Sequence, residues 1–575
     1  MTGLAPDRVG QWSAELAQAI AQPDDSSFVT VARIADLLEG TDNAMLSDAT
    51  GIQCMLNATR GLIALGHGRK AVKLAARTLS LCRRQHVSEA QHLDSLTNFM
   101  IAMAENEAMG AATQACVEGV LRTHASGDDY WKARFMGNLS ALLVKRGHHG
   151  LARQTLLLNL ARTGHSDPVL ARRTLSNLAQ LALETRQIEE GMHWLDSATD
   201  PPSSGSLHDI TDLAMRSYLR ARLLCAAGRP QEALDLVLGL RERKLPQHSL
   251  VVSHVLDMAE GVARIHLGQI DAGLTRLHDT ASLGRMLQPA YFQGAKQTMI
   301  DALRAAGRHA QAQQELRDLV TRGAQQLVEL AADALTRAAM AEPGWRLDDL
   351  LYAQAVEAEL LEDASGLHPC RVGRLAALIA VALDLPHDTV AEIERAGRLH
   401  DIGKCALPAQ LLSLREPTAD IRALMRRHVA VGGQFLRRCG FRAKDTALAG
   451  VEESHERFDG TGYPMGLAGN AISPAGRIVA LADAFDVLTH DRPWRTARPL
   501  QEAMAEIQRC AGSHFDPQVV DALHEVLREL PGSIAEIDAV LVRDAIAEEN
   551  SLIRAWRELQ GVLDHPPTSR PAALH

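Results

Sequence analysis

Aromatic residues are scarce: Phe, Trp and Tyr together make up 3% of the 575 residues. Runs of β-branched residues are rare as well. Both shortages weigh against a core built on sheets. The eight cysteines, at 54, 82, 116, 225, 370, 405, 439 and 510, include no CxxC pair and no dense framework, so they read as reduced thiols of a cytoplasmic protein. No run reaches about 18 apolar residues, so no membrane span is expected. The opening MTGLAPDRVGQWSAELAQAIAQPDD has no basic region followed by an apolar one, and no signal peptide is expected. An excess of positive charge is also missing: Lys and Arg number 60 against 70 Asp and Glu, a formal net charge of -10. That balance speaks against a broad nucleic-acid footprint. It leaves room for a small phosphorylated ligand in a local pocket. What is present is Leu and Ala in quantity, with hydrophobic residues at 46%, enough for more than one helical core.

The first 330 residues repeat. A helical segment ends in a polar or glycine-containing turn, and a second helix opens on a small residue. Those residues are Ala71, Ala111, Ala152, Gly191, Ala233, Gly273 and Ala312, spaced 40, 41, 39, 42, 40 and 39 apart. A steady period carries more weight than any one turn. A small side chain lets two helices approach, and Leu and Ala at i, i+3, i+4 and i+7 supply the stripe between them. Such a pair cannot bury its apolar face alone, so neighbouring pairs stack; the competing expectation is a generic helical bundle. The pattern resembles tetratricopeptide-like repeats in a long variant, without most of their signature aromatics. The resemblance implies binding of a protein partner, or self-association.

The expected organisation is all-α: a cap at 1–40, a repeat domain at 41–335, a connecting helix at 336–366, a second domain at 367–530, and a C-terminal helix with a disordered tail at 531–575. DPPSSGSLHD (200–209) reads as a loop that interrupts the array. Leu552, Ile553, Trp556 and Leu559 share one face of a late helix, for packing onto the protein or onto a second copy.

From 368 onward, ionisable residues enter otherwise apolar helices. His400 and Asp401 sit in LHDIGKCALP with Lys404 three residues on. His368 opens HPCRVGRLAALIAVAL, His428 lies in ALMRRHVAVGGQFL, His455 in EESHERFDGTGYP and Asp483 in RIVALADAFDVLT. Unpaired charge among aliphatic side chains is costly, and metal ligation explains these positions economically. Imidazole and carboxylate together suit iron, manganese, zinc or nickel.

This set resembles the HD phosphohydrolase superfamily and, within it, the HD-GYP family. The likeness rests on His400-Asp401, Gly403, Lys404, His455-Glu456, Asp459-Gly460, the Gly462-Tyr463-Pro464 triplet, GLAGNAISPAGRIVALADAFDVLTHDRPWR and HFDP. It implies one metal held by His368, His400, Asp401 and Asp483, and a second beside it, bridged by Asp401 and held by His428 and His455. The family's usual His-His-Glu reads Ser454-His455-Glu456 here, so the second site is expected to be weaker, empty or tuned to another ion. Ala364 stands where some members carry a glutamate for a third metal, so no third ion is expected.

The activity implied is metal-dependent hydrolysis of cyclic di-GMP to pGpG, and in some members on to GMP. Lys404 is the candidate for neutralising the phosphate, with Asp401 at the catalytic centre. Arg457 and Arg495 are weaker substrate candidates. Gly462, Tyr463 and Pro464 are tied in the family to substrate contact and to docking of partners with diguanylate cyclase domains; a purely structural loop is the alternative. Asp486 reads as a residue that orients a ligand histidine, and His514 and Asp516 as a turn and cap. His67, His148, His149, His387, His490 and His524 read as ordinary surface or helix residues. Two other readings stay open: a degenerate domain that binds nucleotide or protein without hydrolysis, motivated by Ser454, and a phosphohydrolase for a different cyclic dinucleotide or nucleotide.

Overall fold

The computed structural model describes residues 6–564 apart from 22–26, 65–66, 86, 164–166, 199–206, 243–249, 288, 343–344, 415, 531 and 548–551. Among the described residues there is no β-strand, only the isolated bridges Asp459–Ala468, Arg492–Arg495 and Ala511–Phe515. The chain is all-α, as its composition requires. Most of the 200–209 loop and nearly all of the tail fall outside the described residues, and Leu207 already opens a helix.

From Ala49 to Asp318 long helices alternate with tight turns. Glu107, Gly147, Arg186, Gly228, Gly268 and Gly307 sit in these turns with φ between 59 and 81°. This left-handed residue ends one helix, and a few residues later the small residue of the repeat opens the next. All seven small residues are buried. The 40-residue spacing is therefore the spacing of helical hairpins, consistent with a solenoid.

The chain forms two compact units that do not follow chain order: residues 1–121 with 324–561, and residues 122–323 with 562–575. The second unit carries the hairpins from Asp129–Lys145 onward. Its interior includes a hydrogen bond of 2.7 Å between the Tyr218 and Thr298 hydroxyls.

In the first unit, the helix Ala324–Ala341 packs on Gly68–Arg84. Buried Glu342 accepts from Asn43 at 2.7 Å and pairs with Arg77 and Arg84. Trp345 stacks on Phe99 at 4.8 Å and donates to the Ala76 carbonyl. These contacts fix the start of Leu347–Glu359, the helix entering the last domain. Halfway along it, Gln354 accepts the amide of Gly110, at the start of Met109–Ser126, at 3.0 Å. One π-helical turn, Leu319–Gly323, separates His309–Asp318 from Ala324–Ala341.

The last domain packs His368–Ala382 (α1), His387–Leu399 (α2), Arg427–Arg438 (α3), Thr446–Glu452 (α4), Pro474–Thr489 (α5) and Pro517–Glu529 (α6) into one apolar core. Asp516 caps α6 and pairs with Arg477, the cap expected of it. Beyond α6 follow Ile534–Leu541 (α7) and Leu552–Asp564 (α8). The apolar face of α8 folds back on the chain: Leu552, Ile553, Trp556 and Leu559 are buried, and Trp556 donates to the Ala364 carbonyl at 3.1 Å.

Candidate metal centre

Each imidazole reaches the centre by a local device. Asp363 accepts the His368 amide at 3.0 Å and the Arg371 guanidinium at 2.9 Å, which anchors the first turn of α1. His400 ends α2, and the chain tightens into a 3-10 turn, Ile402–Ala406. This turn presses on α3 so closely that a Cβ at Gly403 would overlap the His428 carbonyl, so only glycine fits there. His455 follows α4, and Asp483 projects from the middle of α5.

The ring nitrogens are sorted by their outer partners. His400 Nδ1 donates to the Gly397 carbonyl at 2.9 Å, and His428 Nδ1 to the Met425 carbonyl at 2.8 Å. His368 Nδ1 donates to Asp486 Oδ2 at 2.6 Å. With Nδ1 spent in all three, Nε2 is the nitrogen left to bind an ion. Asp486 is itself buried against Arg371 and Arg492. Burial would push its carboxyl up, but Arg371 and His368 hold it well below the usual range. It orients a histidine, as read.

The Nε2 atoms converge with carboxylate oxygens. His368 Nε2 lies 3.5 Å and His400 Nε2 3.7 Å from Asp483 Oδ1. Asp401 spans two groups: Oδ2 is 3.0 Å from His400 Nε2, and Oδ1 is 2.9 Å from His428 Nε2 and 3.9 Å from His455 Nε2. His428 and His455 face each other Nε2 to Nε2 at 3.1 Å. Donors about 2.1 Å from one ion lie about 3.0–4.2 Å apart, so both groups have the span of a coordination shell. The buried His400 Nε2 and Asp401 Oδ1 accept or donate no hydrogen bond, which is how atoms awaiting a cation look. Burial alone would lower His400 and raise Asp401. Their mutual attraction, with Asp483, Lys404 and His428, instead holds His400 well above its ordinary value and Asp401 well below.

Ser454 is 2% exposed and donates to the Val451 carbonyl at 3.0 Å. The second group therefore consists of Asp401, His428 and His455.

Lys404, half-buried, lies among three carboxylates: Glu359 at 2.8 Å, Asp401 at 2.9 Å and Glu362 at 3.0 Å. Glu359 and Glu362 were not singled out from the sequence. They precede the motif, and a glutamate at a helix end carries no signal of its own. Burial pushes the Glu359 carboxyl up to about 8, against the pull of Lys404.

The Gly-Tyr-Pro loop folds over the second group. Glu456, 2% exposed, accepts the amides of Met465, Gly466 and Leu467. Tyr463, joined to Pro464 by a cis bond, stacks on His455 at 5.0 Å, with Arg426 over its ring at 4.8 Å. A Cβ at Gly462 would overlap the backbone of Glu456 and Arg457. Arg457 bonds Thr461 within the loop. Arg495 pairs its backbone with Arg492 and keeps a buried guanidinium nitrogen with no hydrogen-bond partner; two more such nitrogens belong to Arg492. His490, half-buried at the C-terminal end of α5, joins Asp538 at 2.9 Å to the Asp486 carbonyl at 2.9 Å.

Residues 355–519, the segment holding all of these groups except Asp538, match the family of the HD domain. This region is an HD domain. Similar curated proteins include a cyclic di-GMP phosphodiesterase of Thermotoga maritima, 36% identical over 28% of this chain and 45% of that protein. The cyclic di-GMP phosphodiesterase response regulator RpfG of Xanthomonas campestris pv. campestris is 40% identical over 27% of this chain and 41% of its own length. A 3'3'-cGAMP-specific phosphodiesterase of Vibrio cholerae is 36% identical over 31% and 34%. The chain thus spans less than half the length of these relatives, and the likeness lies in the HD domain. No described helix is long and apolar enough to cross a membrane, and no disulfide joins any of the eight cysteines.

Proposed function

We propose that the HD domain hydrolyses a 3′,5′-cyclic dinucleotide, with cyclic di-GMP as the first substrate, using one or two divalent transition metals. The observation that carries this is the convergence of imidazole Nε2 atoms and carboxylate oxygens on the two sides of Asp401. His368, His400, Asp401 and Asp483 would hold the first ion, and Asp401, His428 and His455 the second. Iron and manganese suit this donor set best, with zinc or nickel as alternatives. Bound there, such ions lower the pKa of water and neutralise a phosphodiester.

The chain's own groups supply the rest. Lys404 keeps a cation beside Asp401, where negative charge develops on phosphate. Arg492 and Arg495 offer unspent N–H donors for a phosphate oxygen. Tyr463 and Arg457 line the loop where a base would lie. The hairpins serve as a tetratricopeptide-like platform for a protein partner or a second copy in the cytoplasm. Docking of diguanylate cyclase domain proteins on the Gly-Tyr-Pro loop is the narrower form of that idea.

Ser454 favours one competing reading, a domain that binds cyclic dinucleotide without turning it over. The test is anaerobic purification, a metal count per chain, and hydrolysis of cyclic di-GMP and 3'3'-cGAMP with added manganese or iron. Metal-dependent turnover abolished by Asp401→Asn is the expected result. Nucleotide binding with no turnover would select the binding module, and 3'3'-cGAMP turnover alone would change the substrate.

A further inference from the structure

A second carboxylate reaches the first metal group from outside the motif. Glu359 is the last residue of the helix Leu347–Glu359, and it is 1% exposed. Its two oxygens face different partners: Oε1 lies 2.8 Å from Lys404, and Oε2 lies 3.8 Å from His368 Nε2. The latter separation falls inside the span of about 3.0–4.2 Å for donors around one ion. Oε2 is buried and takes no hydrogen bond. Glu359, His368 and Asp401 each turn one donor atom to within 4.8 Å of the others.

These three residues do not make a separate site. His368 has a single free ring nitrogen, because its Nδ1 is spent on Asp486. One nitrogen lone pair serves one ion. Whatever ion His368 takes is therefore the ion that Asp483 and His400 also face.

We propose that Glu359 is a further ligand of the ion held by His368, His400, Asp401 and Asp483, while its other oxygen holds Lys404 beside that ion. The assignment rests on the metal-site reading above and adds a donor from the helix that the N-terminal hairpins anchor through Glu342, Trp345 and Gln354. Glu359 thereby sets the distance between the ion and the only lysine of the site.

The experiment is manganese titration of the full chain, followed by metal content after desalting, for the native protein, Glu359→Gln and Glu362→Gln. Circular dichroism melts of the metal-free forms check folding. Glu359→Gln keeps the size of the side chain and removes its charge; Glu362→Gln removes an equal charge from Lys404 but none from the ion. The expected result is a loss of at least about tenfold in affinity at the tighter site for Glu359→Gln, and a several-fold smaller change for Glu362→Gln. Unchanged affinity in Glu359→Gln, or equal losses in both variants, would overturn the proposal, since Glu359 would then act only through Lys404. If Glu359→Gln fails to fold, Glu359→Asp, one methylene shorter, must show the same ordering or the proposal falls. A native chain that takes up no metal would overturn the metal-site reading itself, and this assignment with it.

Discussion

The Ser454 hydroxyl donates to the carbonyl of Val451 at 3.0 Å, at the position where the HD-GYP pattern has an imidazole. The second group is left with Asp401, His428 and His455 as its donors. A hydroxyl that donates its hydrogen bond to the backbone remains a neutral, weak ligand. Ser454→His should therefore add a donor and tighten the second ion by at least about tenfold, the order of effect seen when groups around a metal are altered. Metal content and cyclic-dinucleotide turnover check this, and no gain in either would mean that the second position is not limited by ligand number.

Lys404 lies within 3.0 Å of Glu359, Glu362 and Asp401. Lys404→Met leaves the buried carboxylates of Glu359 and Asp401 facing half-buried Glu362, which costs about 3–5 kcal/mol when one partner of a buried pair is removed. The metal-free variant should melt well below the native protein, and added metal should recover part of the loss. Turnover should fall about 100- to 1000-fold even at saturating metal, because an electrostatic donor at the phosphate is gone.

Glu456 holds the Gly-Tyr-Pro loop by three amides. Glu456→Ala removes three hydrogen bonds from the amides of a partly exposed segment, at about 0.5–1.5 kcal/mol each. Hydrogen exchange at residues 463–467 should rise sharply, and the stacking of Tyr463 on His455 should loosen. Unchanged exchange in this segment would show that the loop is held by other contacts.

His490 supplies a pH dependence. Burial disfavours its imidazolium, but the hydrogen bond to Asp538 and the charge of Asp486 outweigh this and raise its pKa. A base with a raised folded value contributes stability that is complete below its unfolded pKa, about 6.5, and is lost as pH rises through the raised value. Melting temperature should therefore decline from pH 6.5 upward, with α7 loosening first. Asp538→Asn should flatten that decline, and parallel curves for the two proteins would exclude His490 as its source.

Chelation should lower the melting temperature. An ion that binds only the folded chain stabilises it by about 2.7 kcal/mol at one hundred times its dissociation constant. Melts with and without EDTA measure the difference, which should shrink in His400→Ala and vanish in a chain that binds no metal.

Much of this protein is local and was therefore legible. Composition sets the all-α class, because Leu and Ala without β-branched runs leave nothing to build a sheet. The 40-residue period marks the hairpin turns, since a left-handed turn residue and a small residue at the next helix start are one-dimensional signals. His368, His400, Asp401, His428, His455 and Asp483 were marked as ionisable residues beside small or aliphatic ones, and their grouping as ligands came from the resemblance to the HD-GYP pattern; Asp516 stood out because a cap precedes its helix by one residue.

What only the tertiary structure decided are relationships between atoms distant in the chain. The partnership of Asp401 with histidines on both its sides, the placement of Lys404 among glutamates, and the reach of Glu359 toward His368 depend on how helices cross, and crossing is set by close approaches such as Gly403 against α3. The pairing of residues 1–121 with 324–561 into one unit is likewise invisible to any period or motif. Sequence patterns report the face and phase of each helix; which faces meet follows from the sum of many small contacts over the whole fold.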